Sequence, residues 1–205
     1  RLTAPAIQVD IDWPTYAGKK RHLPWYLLAA KCLAQNGVRI VMHGGGPHTA
    51  GRLYSEQLLN ELAIPLCRNW QSVQETLNTD NLAFIPLQDW APQLQRMIDL
   101  RNPLGLRSPI HSLARILNPL KARCGLQSIF HPGYQSVHRE ASGLLGDTSI
   151  VVKGDGGEIE INPDTNSHLY GTTAGVSWDE EWPALSAQRH VKPASLDPAH
   201  LKAVW

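Results

Sequence analysis

Residues 23–46, LPWYLLAAKCLAQNGVRIVMHGGG, decide the fold class of this chain. Residues 23–35 predict a helix, which Asn36 and Gly37 end as a C-terminal cap. Residues 38–43 follow as a short apolar run of the kind that is buried in a parallel sheet. Because a helix, a cap and a buried strand follow one another without a gap, the stretch is typical of an α/β protein.

The same alternation continues along most of the chain. Further strands are predicted at residues 6–12, 82–87, 126–130, 148–153 and 158–161. Further helices are predicted at residues 52–63, 89–100, 109–117 and 134–145. We therefore predict one α/β domain over residues 1–205, with a largely parallel central sheet flanked by helices. Residues 1–161 form its well-patterned core, and residues 162–205 are expected to be an irregular section.

The charges of the chain are segregated although they nearly cancel. The 205 residues carry 19 Lys and Arg against 18 Asp and Glu, which gives a net charge of +1. Residues 1–52 have an excess of five positive charges, and residues 101–125, which hold no acid, have another five. The acids gather in residues 53–100 and 126–205. Whether the chain can bind a phosphate-rich partner therefore depends on whether the two basic blocks meet in space.

The composition excludes several classes of protein. The three cysteines, Cys32, Cys67 and Cys124, are odd in number and widely spaced, which argues against a disulfide framework or a structural zinc site. We expect them to be buried free thiols in a reducing cytoplasm. No apolar run approaches the roughly 20 residues of a membrane-spanning helix, so a cytoplasmic protein is expected.

The first candidate loop is residues 13–22, WPTYAGKKRH. Three consecutive cations stand beside a glycine and two aromatic rings. A groove of cations and stackable rings is what single-stranded nucleic acid requires. A solvated basic turn with its rings packed inward is the alternative. The candidate nucleic-acid or phosphate-binding residues of this loop are Trp13, Tyr16, Gly18, Lys19, Lys20 and Arg21.

The second candidate loop is the glycine turn at residues 43–49, HGGGPHT. Glycines let backbone N–H groups approach an anion, and a helix that begins after the turn would add a favourable dipole. A flexible strand-to-helix connection is the alternative. Esterases also carry HGGG, but this sequence has no G-x-S-x-G, which excludes that class. The candidate phosphate-binding residues are His43, Gly44, Gly45 and Gly46.

Two further segments carry candidate site residues. Residues 101–111, RNPLGLRSPIH, hold Arg101, Arg107 and His111, and arginine suits the recognition of carboxylate or phosphate. A solvated face of a helix pair is the alternative. Glu158 and Glu160 would share a face of an extended strand and could hold Mg²⁺, the alternative being a strand edge with solvated acids.

In their order, these motifs resemble the catalytic domain of the anthranilate phosphoribosyltransferase family, a nucleoside phosphorylase type of glycosyltransferase. Residues 101–108, RNPLGLRS, match the family's R-x-x-L-G-x-R-T segment, and residues 118–120, NPL, follow in place. Residues 42–44, MHG, stand where the family has K-H-G, and residues 153–158, KGDGGE, stand at its metal segment. The resemblance covers roughly residues 6–162. The family's G-T-G-G-D diphosphate loop and adjacent D-E pair are absent.

A branch outside tryptophan synthesis is more similar. Its P-x-Y-x-G-x-[KR]-[KR] loop, H-P-x-Y motif and G-x-x-G-E motif match residues 14–21, 131–134 and 154–158. Members of that branch are described as homodimers that bind nucleic acid with little sequence preference. The resemblance also implies a helical domain before Arg1, which forms the dimer contact, and a last helix that follows a Trp near Trp205.

These residues and the resemblance together suggest two functions. The first is the binding of single-stranded DNA or RNA with low specificity by a transferase-like domain that requires no cofactor. The second is active phosphoribosyl transfer from phosphoribosyl pyrophosphate to an unidentified acceptor, with Mg²⁺ held by Glu158. An interaction domain with neither activity is a third possibility.

Overall fold

The computed structural model describes residues 5–191, 193 and 195–205. Its centre is one seven-stranded sheet with the strand order β3-β2-β1-β4-β5-β6-β7. The strands are β1 (Ile11–Thr15), β2 (Ile40–Gly44), β3 (Leu82–Pro86), β4 (Cys124–Ile129), β5 (Ser149–Lys153), β6 (Ser167–Thr173) and β7 (Val176–Trp182). The helices are α1 (Tyr26–Gln35), α2 (Trp70–Thr79), α3 (Leu87–Trp90), α4 (Pro92–Asp99), α5 (Arg101–Leu104), α6 (Ile110–Leu113), α7 (Gln135–Leu145) and α8 (Ala199–Val204).

Strands β1 to β5 are parallel, β6 is antiparallel to β5, and β7 is antiparallel to β6. The chain moves from β1 outward to β2 and β3, and then returns to the other side of β1 for β4. In open α/β sheets ligands bind at such a reversal, outside the carboxyl ends of the strands. The predicted fold class is therefore confirmed, and the reversal lies between β1 and β4.

Both faces of the central strands are buried. On β2, Ile40 and Met42 pack into one apolar cluster with α1, whereas Val41 faces a second cluster that includes α2. On β3, Phe84 and Ile85 divide in the same way between the two clusters. This explains why these strands are continuously apolar in sequence.

The sheet opens between β1 and β4. The two strands pair only at Ile11 and Asp12, while β1 stays paired with β2 through Thr15. Pro14 has no N–H to donate, and it lies where β4 no longer pairs with β1. The opening leads directly into the loop that follows β1.

Local sequence signals predicted the bounds of most central elements to within three residues of the observed ones. Helix α1 ends at Gln35 with Gly37 at a φ of +84°, as the predicted cap requires. Strands β2 to β5 and helix α7 also lie where they were predicted.

Other predicted elements are wrong. The predicted strand at residues 6–12 begins only at Ile11, so residues 13–15 belong to β1 and not to a loop. Residues 52–63 form a 3-10 helix, Ser55–Leu58, followed by turns rather than an α-helix. The helix predicted at 89–100 is divided at Ala91, because Pro92 excludes helical backbone at the residue before it.

The section after Asn162 is irregular only in part. It contains the β6–β7 hairpin, whose turn residues Ala174 and Gly175 both have positive φ. Residues 158–161 are not a strand, because they run beside the β1 loop instead of joining the sheet. Helix α2 was missed, although Asn69 and Ser72 form a reciprocal capping box at its start.

The three cysteines are free, but only Cys67 is buried; Cys32 is exposed and Cys124 half-buried. In the described residues, no helix is both long enough and apolar enough to cross a bilayer.

Candidate functional site

A cleft of about 770 Å³ lies outside the carboxyl ends of β1, β4 and β5 and is bordered by β6. Its position matches the reversal of strand order. Cations and rings from separate segments line it: Lys20, Arg21, Arg52, Phe130, His131, Lys153, His168 and Tyr170. We call Lys20, Arg21, Phe130 and Lys153, whose side chains are exposed, the cleft rim.

The loop after β1 is fixed from below by Glu158. Its Oε1 atom accepts the backbone N–H groups of Ala17 at 2.7 Å and Gly18 at 2.6 Å. Gly18 has a φ of +65°, and an added Cβ would lie 3.1 Å from the Tyr54 ring. A glycine is therefore required where the loop turns back towards the cleft.

Lys19 is among the residues that line the cleft, but its side chain is buried in the protein. Its side chain is 1% exposed, and its ammonium lies 2.7 Å from Asp155 Oδ2 and 2.7 Å from Glu160 Oε1. The three cations in a row thus separate into one buried ion-paired lysine and two exposed side chains, Lys20 and Arg21. We call Lys19, Arg115, Asp155, Glu158 and Glu160 the cleft floor.

The two aromatic rings of the first loop are also buried. Trp13 is part of β1 and stacks on Tyr26 with ring centroids 6.2 Å apart. Tyr16 is 2% exposed, and its hydroxyl lies 2.7 Å from His43 Nδ1. The rings that face the cleft are Phe130 and Tyr170 instead.

His43 belongs to a buried network and not to an open phosphate turn. Asp12 Oδ2 accepts from His43 Nε2 at 3.1 Å, which leaves Nδ1 to accept the Tyr16 hydroxyl. Burial raises the pKa of Asp12, and the neighbouring His43 opposes that shift. Trp90 packs against the imidazole with ring centroids 5.4 Å apart, so the network is closed to solvent.

The glycine turn has a packing role at its first residue. A Cβ on Gly44 would lie 2.4 Å from the carbonyl oxygen of Thr15, so only glycine allows β1 and β2 to approach here. The expectation of a helix N-terminus after this turn is wrong, because the next helical residues begin at Ser55.

The arginine segment meets the glycine turn. Arg101 donates to the hydroxyl of Thr49, and the His48 and His111 rings lie 5.2 Å apart. Burial and, to a lesser extent, the charges of His111, Arg101 and Arg107 together lower the pKa of His48 to about 4. The hydrogen bond to the Gly46 carbonyl oxygen opposes this shift. Burial also lowers the pKa of Arg107, and Arg101 and Arg52 add to this shift.

Arg52 links this arginine cluster (Arg101, Arg107, His48, His111) to the cleft. Its guanidinium donates to the carbonyl oxygens of Ala17, Gly18 and Gly156 at 2.9–3.1 Å. The two basic blocks therefore meet at Arg52. However, Arg101 and Arg107 lie beside the glycine turn and are not among the residues that line the cleft.

The carboxylates predicted to hold a metal are engaged by the protein itself. Glu160 accepts from Lys19 and from the backbone N–H of Tyr26 at 3.1 Å. Only Glu158 Oε2 lacks a partner, and the Arg115 guanidinium stabilises the charge of that carboxylate. Among the described residues, no group of three or more His, Cys, Asp or Glu side chains could hold a metal ion. The residues present therefore do not fit Mg²⁺.

Sequence reasoning missed Arg52, Phe130, Lys153 and Tyr170. Phe130 and Lys153 were predicted as the last residues of strands, so the rule that ligands bind at the carboxyl ends could have indicated them. Arg52 and Tyr170 carry no local signal, because the fold brings them to the cleft from distant segments.

The chain is similar in sequence to several known proteins. No family model matches the chain. It is 25% identical over 166 residues to the uncharacterized protein YbiB of Escherichia coli, which covers 80% of this chain and 52% of YbiB. It is 28% identical over 137 residues to the anthranilate phosphoribosyltransferase of Novosphingobium aromaticivorans, which covers 66% of this chain and 40% of that enzyme.

Solved structures of anthranilate phosphoribosyltransferases have the same fold. The Thermus thermophilus enzyme aligns over 86% of this chain and 54% of its own, with a TM-score of 0.66 and 23% identity. The Saccharomyces cerevisiae enzyme in complex with PRPP and Mg aligns over 87% and 52%, with a TM-score of 0.69 and 16% identity. The chain spans about half the length of these relatives, and its fold is anthranilate phosphoribosyltransferase-like.

Proposed function

We propose that this domain binds single-stranded nucleic acid with little sequence preference, in the cleft beyond β1, β4 and β5. The observation that carries the proposal is the composition of the rim. Lys20, Arg21 and Lys153 reach it from two separate loops, and Phe130, 52% exposed, lies beside them. Cations that follow a phosphate backbone, together with rings on which bases stack, are the two requirements of such a site.

The electrostatics of the cleft support an anionic ligand. Asp155 is the one carboxylate among the residues that line the cleft, and it is ion-paired with Lys19. Within the described residues, neither Lys20 nor Arg21 forms an ion pair that would reduce its charge. The exposed charge that faces a ligand is therefore positive.

The expected recognition is of backbone and base faces. Phe130 and His131 form an edge-to-face pair with centroids 4.9 Å apart, and His168 stacks on Tyr170 at 6.2 Å. Every base has a face that can stack, so such rings bind without reading sequence. Homodimer formation stays a prediction.

The test compares two double variants in fluorescence anisotropy with a labelled oligothymidylate. Lys20→Glu/Arg21→Glu reverses two rim cations. Lys121→Glu/Lys202→Glu reverses two exposed cations outside the cleft and changes the net charge equally. We expect about tenfold or more weaker binding for the rim variant and less than about a twofold change for the control. Equal losses in both variants, or no binding by the wild type, would overturn the proposal.

Phosphoribosyl transfer is the second candidate, and the arginine cluster beside the glycine turn favours it. Arg101 and Arg107 could hold an anionic substrate there. Calorimetry with phosphoribosyl pyrophosphate, with and without Mg²⁺, distinguishes the two functions. A micromolar affinity that disappears in Arg101→Gln and persists in Lys20→Glu/Arg21→Glu would favour transfer.

A further inference from the structure

Three carboxylates of the segment after β5 turn inward beneath the cleft. Asp155 is 29% exposed, Glu160 is 14% exposed and Glu158 is 1% exposed. Carboxylates gathered in this way need positive charge nearby, because burial favours their neutral form. What supplies that charge decides whether the cleft needs a metal ion.

Lys19 supplies part of this positive charge, and all of its hydrogen-bond donors are used in doing so. An ammonium has three N–H donors. Those of Lys19 reach Asp155 Oδ2 at 2.7 Å, Glu160 Oε1 at 2.7 Å and the Asp155 carbonyl oxygen at 3.1 Å. No donor is left for a ligand in the cleft, so this lysine serves the floor and not the rim.

The backbone of Lys19 is fixed as firmly as its side chain. Its N–H donates to the carbonyl oxygen of Leu53 and its carbonyl oxygen accepts from the N–H of Leu53, both at 2.8 Å. The next residue towards the N-terminus, Gly18, donates to Glu158. Because both ends of Lys19 are held, its ammonium is placed by the fold and not by a bound ligand.

Two further cations complete the balance. Arg115 donates to the carbonyl oxygens of Ser128 and Gly157 at 3.0–3.1 Å, next to Glu158. Arg52 donates to the carbonyl oxygen of Gly156, within the same turn as Asp155. Lys19, Arg52 and Arg115 thus match the three carboxylates in number.

We propose that the Lys19 ammonium is the resident cation of this carboxylate cluster, and that it makes the cleft independent of divalent metal ions. Mg²⁺ requires near-octahedral oxygen ligands at about 2.0–2.1 Å. Asp155 Oδ2 and Glu160 Oε1 are both bonded to Lys19, so a metal that bridged these two oxygens would have to displace a buried ammonium. The inference concerns the floor alone and does not depend on which anion fills the rim.

The experiment measures metal binding to the ligand-free protein by Mn²⁺ electron paramagnetic resonance, and its unfolding temperature with and without Mg²⁺ at constant ionic strength. For the wild type we expect neither Mn²⁺ uptake nor a metal-dependent rise in unfolding temperature. Stoichiometric Mn²⁺ uptake by the wild type at micromolar concentration would overturn the proposal.

The variant Lys19→Met removes the resident cation and leaves the carboxylates in place. We expect it to unfold at a lower temperature, to bind Mn²⁺ and to recover part of its unfolding temperature with Mg²⁺. Lys20→Met makes the same chemical change one residue further on and should acquire no metal response. A folded Lys19→Met protein that ignores both metals would contradict the proposal, and if this variant does not fold, the wild-type measurement decides alone.

Discussion

The rim and the floor of the cleft use the same charged side chains in opposite ways. Lys20 and Arg21 face solvent at the rim, whereas Lys19, their neighbour in sequence, is 1% exposed and ion-paired in the floor. Burial and ion pairing, and not residue type, therefore distinguish the charges that stabilise the fold from those that can bind a ligand. A ligand-binding cation must keep part of its hydrogen-bonding capacity free, which Lys19 does not.

The largest expected effect is a difference in stability between variants of the floor and variants of the rim. Glu158→Ala leaves the N–H groups of Ala17 and Gly18 without their buried acceptor. Each buried unpaired group costs about 1–3 kcal/mol, so we expect a loss of about 3 kcal/mol in the free energy of unfolding, measured by urea denaturation. Lys20→Met at the rim should change it by less than about 0.5 kcal/mol. Equal losses in both variants would remove the distinction between floor and rim.

The next largest effect is expected in the arginine cluster, where the pH dependence of stability tests the burial of His48. The pKa of His48 is lowered from 6.5 to about 4, so the folded protein holds this imidazole neutral. Its contribution to stability is present above pH 6.5 and is lost as the pH falls towards 4. We expect the wild type to lose about 2 kcal/mol more than His48→Gln over this range, in urea unfolding at both limits.

In both the wild type and His48→Gln, the pH dependence of stability that Glu158 and Glu160 cause is opposite to that of His48. Burial raises the pKa of each carboxyl group, so their contribution to stability falls as the pH rises through the raised pKa. They are common to the wild type and the variant, so the difference between the two proteins isolates His48. Identical pH profiles would show that His48 can take up a proton in the folded state without cost.

The smallest expected effect is confined to one ring of the rim. Phe130→Ala should weaken oligonucleotide binding by about 1–2 kcal/mol, because a base loses its stacking surface, and should leave stability nearly unchanged. Leu144→Ala, which removes a 90% exposed apolar side chain of α7, is the control. Anisotropy titrations of both variants measure the difference, and an unaltered affinity in Phe130→Ala would exclude stacking at this position.

The order of the central elements was predictable because its signals are local. The cap at Asn36 and Gly37 and the apolar run of β2 depend on neighbours in sequence. The β6–β7 hairpin was not predictable in this way, since its turn is Ala174-Gly175 rather than Asn-Gly or Asp-Gly.

The candidate site was predictable only in part. Three cations in a row look alike in sequence, and only the partners of Lys19, Asp155 and Glu160, which lie 136 and 141 residues away, distinguish it from Lys20 and Arg21. The fate of Trp13 depends in the same way on where β1 ends. Its ring is buried because the strand continues to Thr15.

The salt dependence of single-stranded DNA binding, measured in EDTA, tests the central claim most directly. Lys20, Arg21, Arg52 and Lys153 line the cleft. At about −0.7 per phosphate neutralised, we predict that the logarithm of the association constant falls with the logarithm of salt concentration at a slope of about −2 to −3. The Lys20→Glu/Arg21→Glu variant should bring that slope closer to zero by about 1.4. A wild-type slope near zero, or one that the rim variant leaves unchanged, would contradict the account.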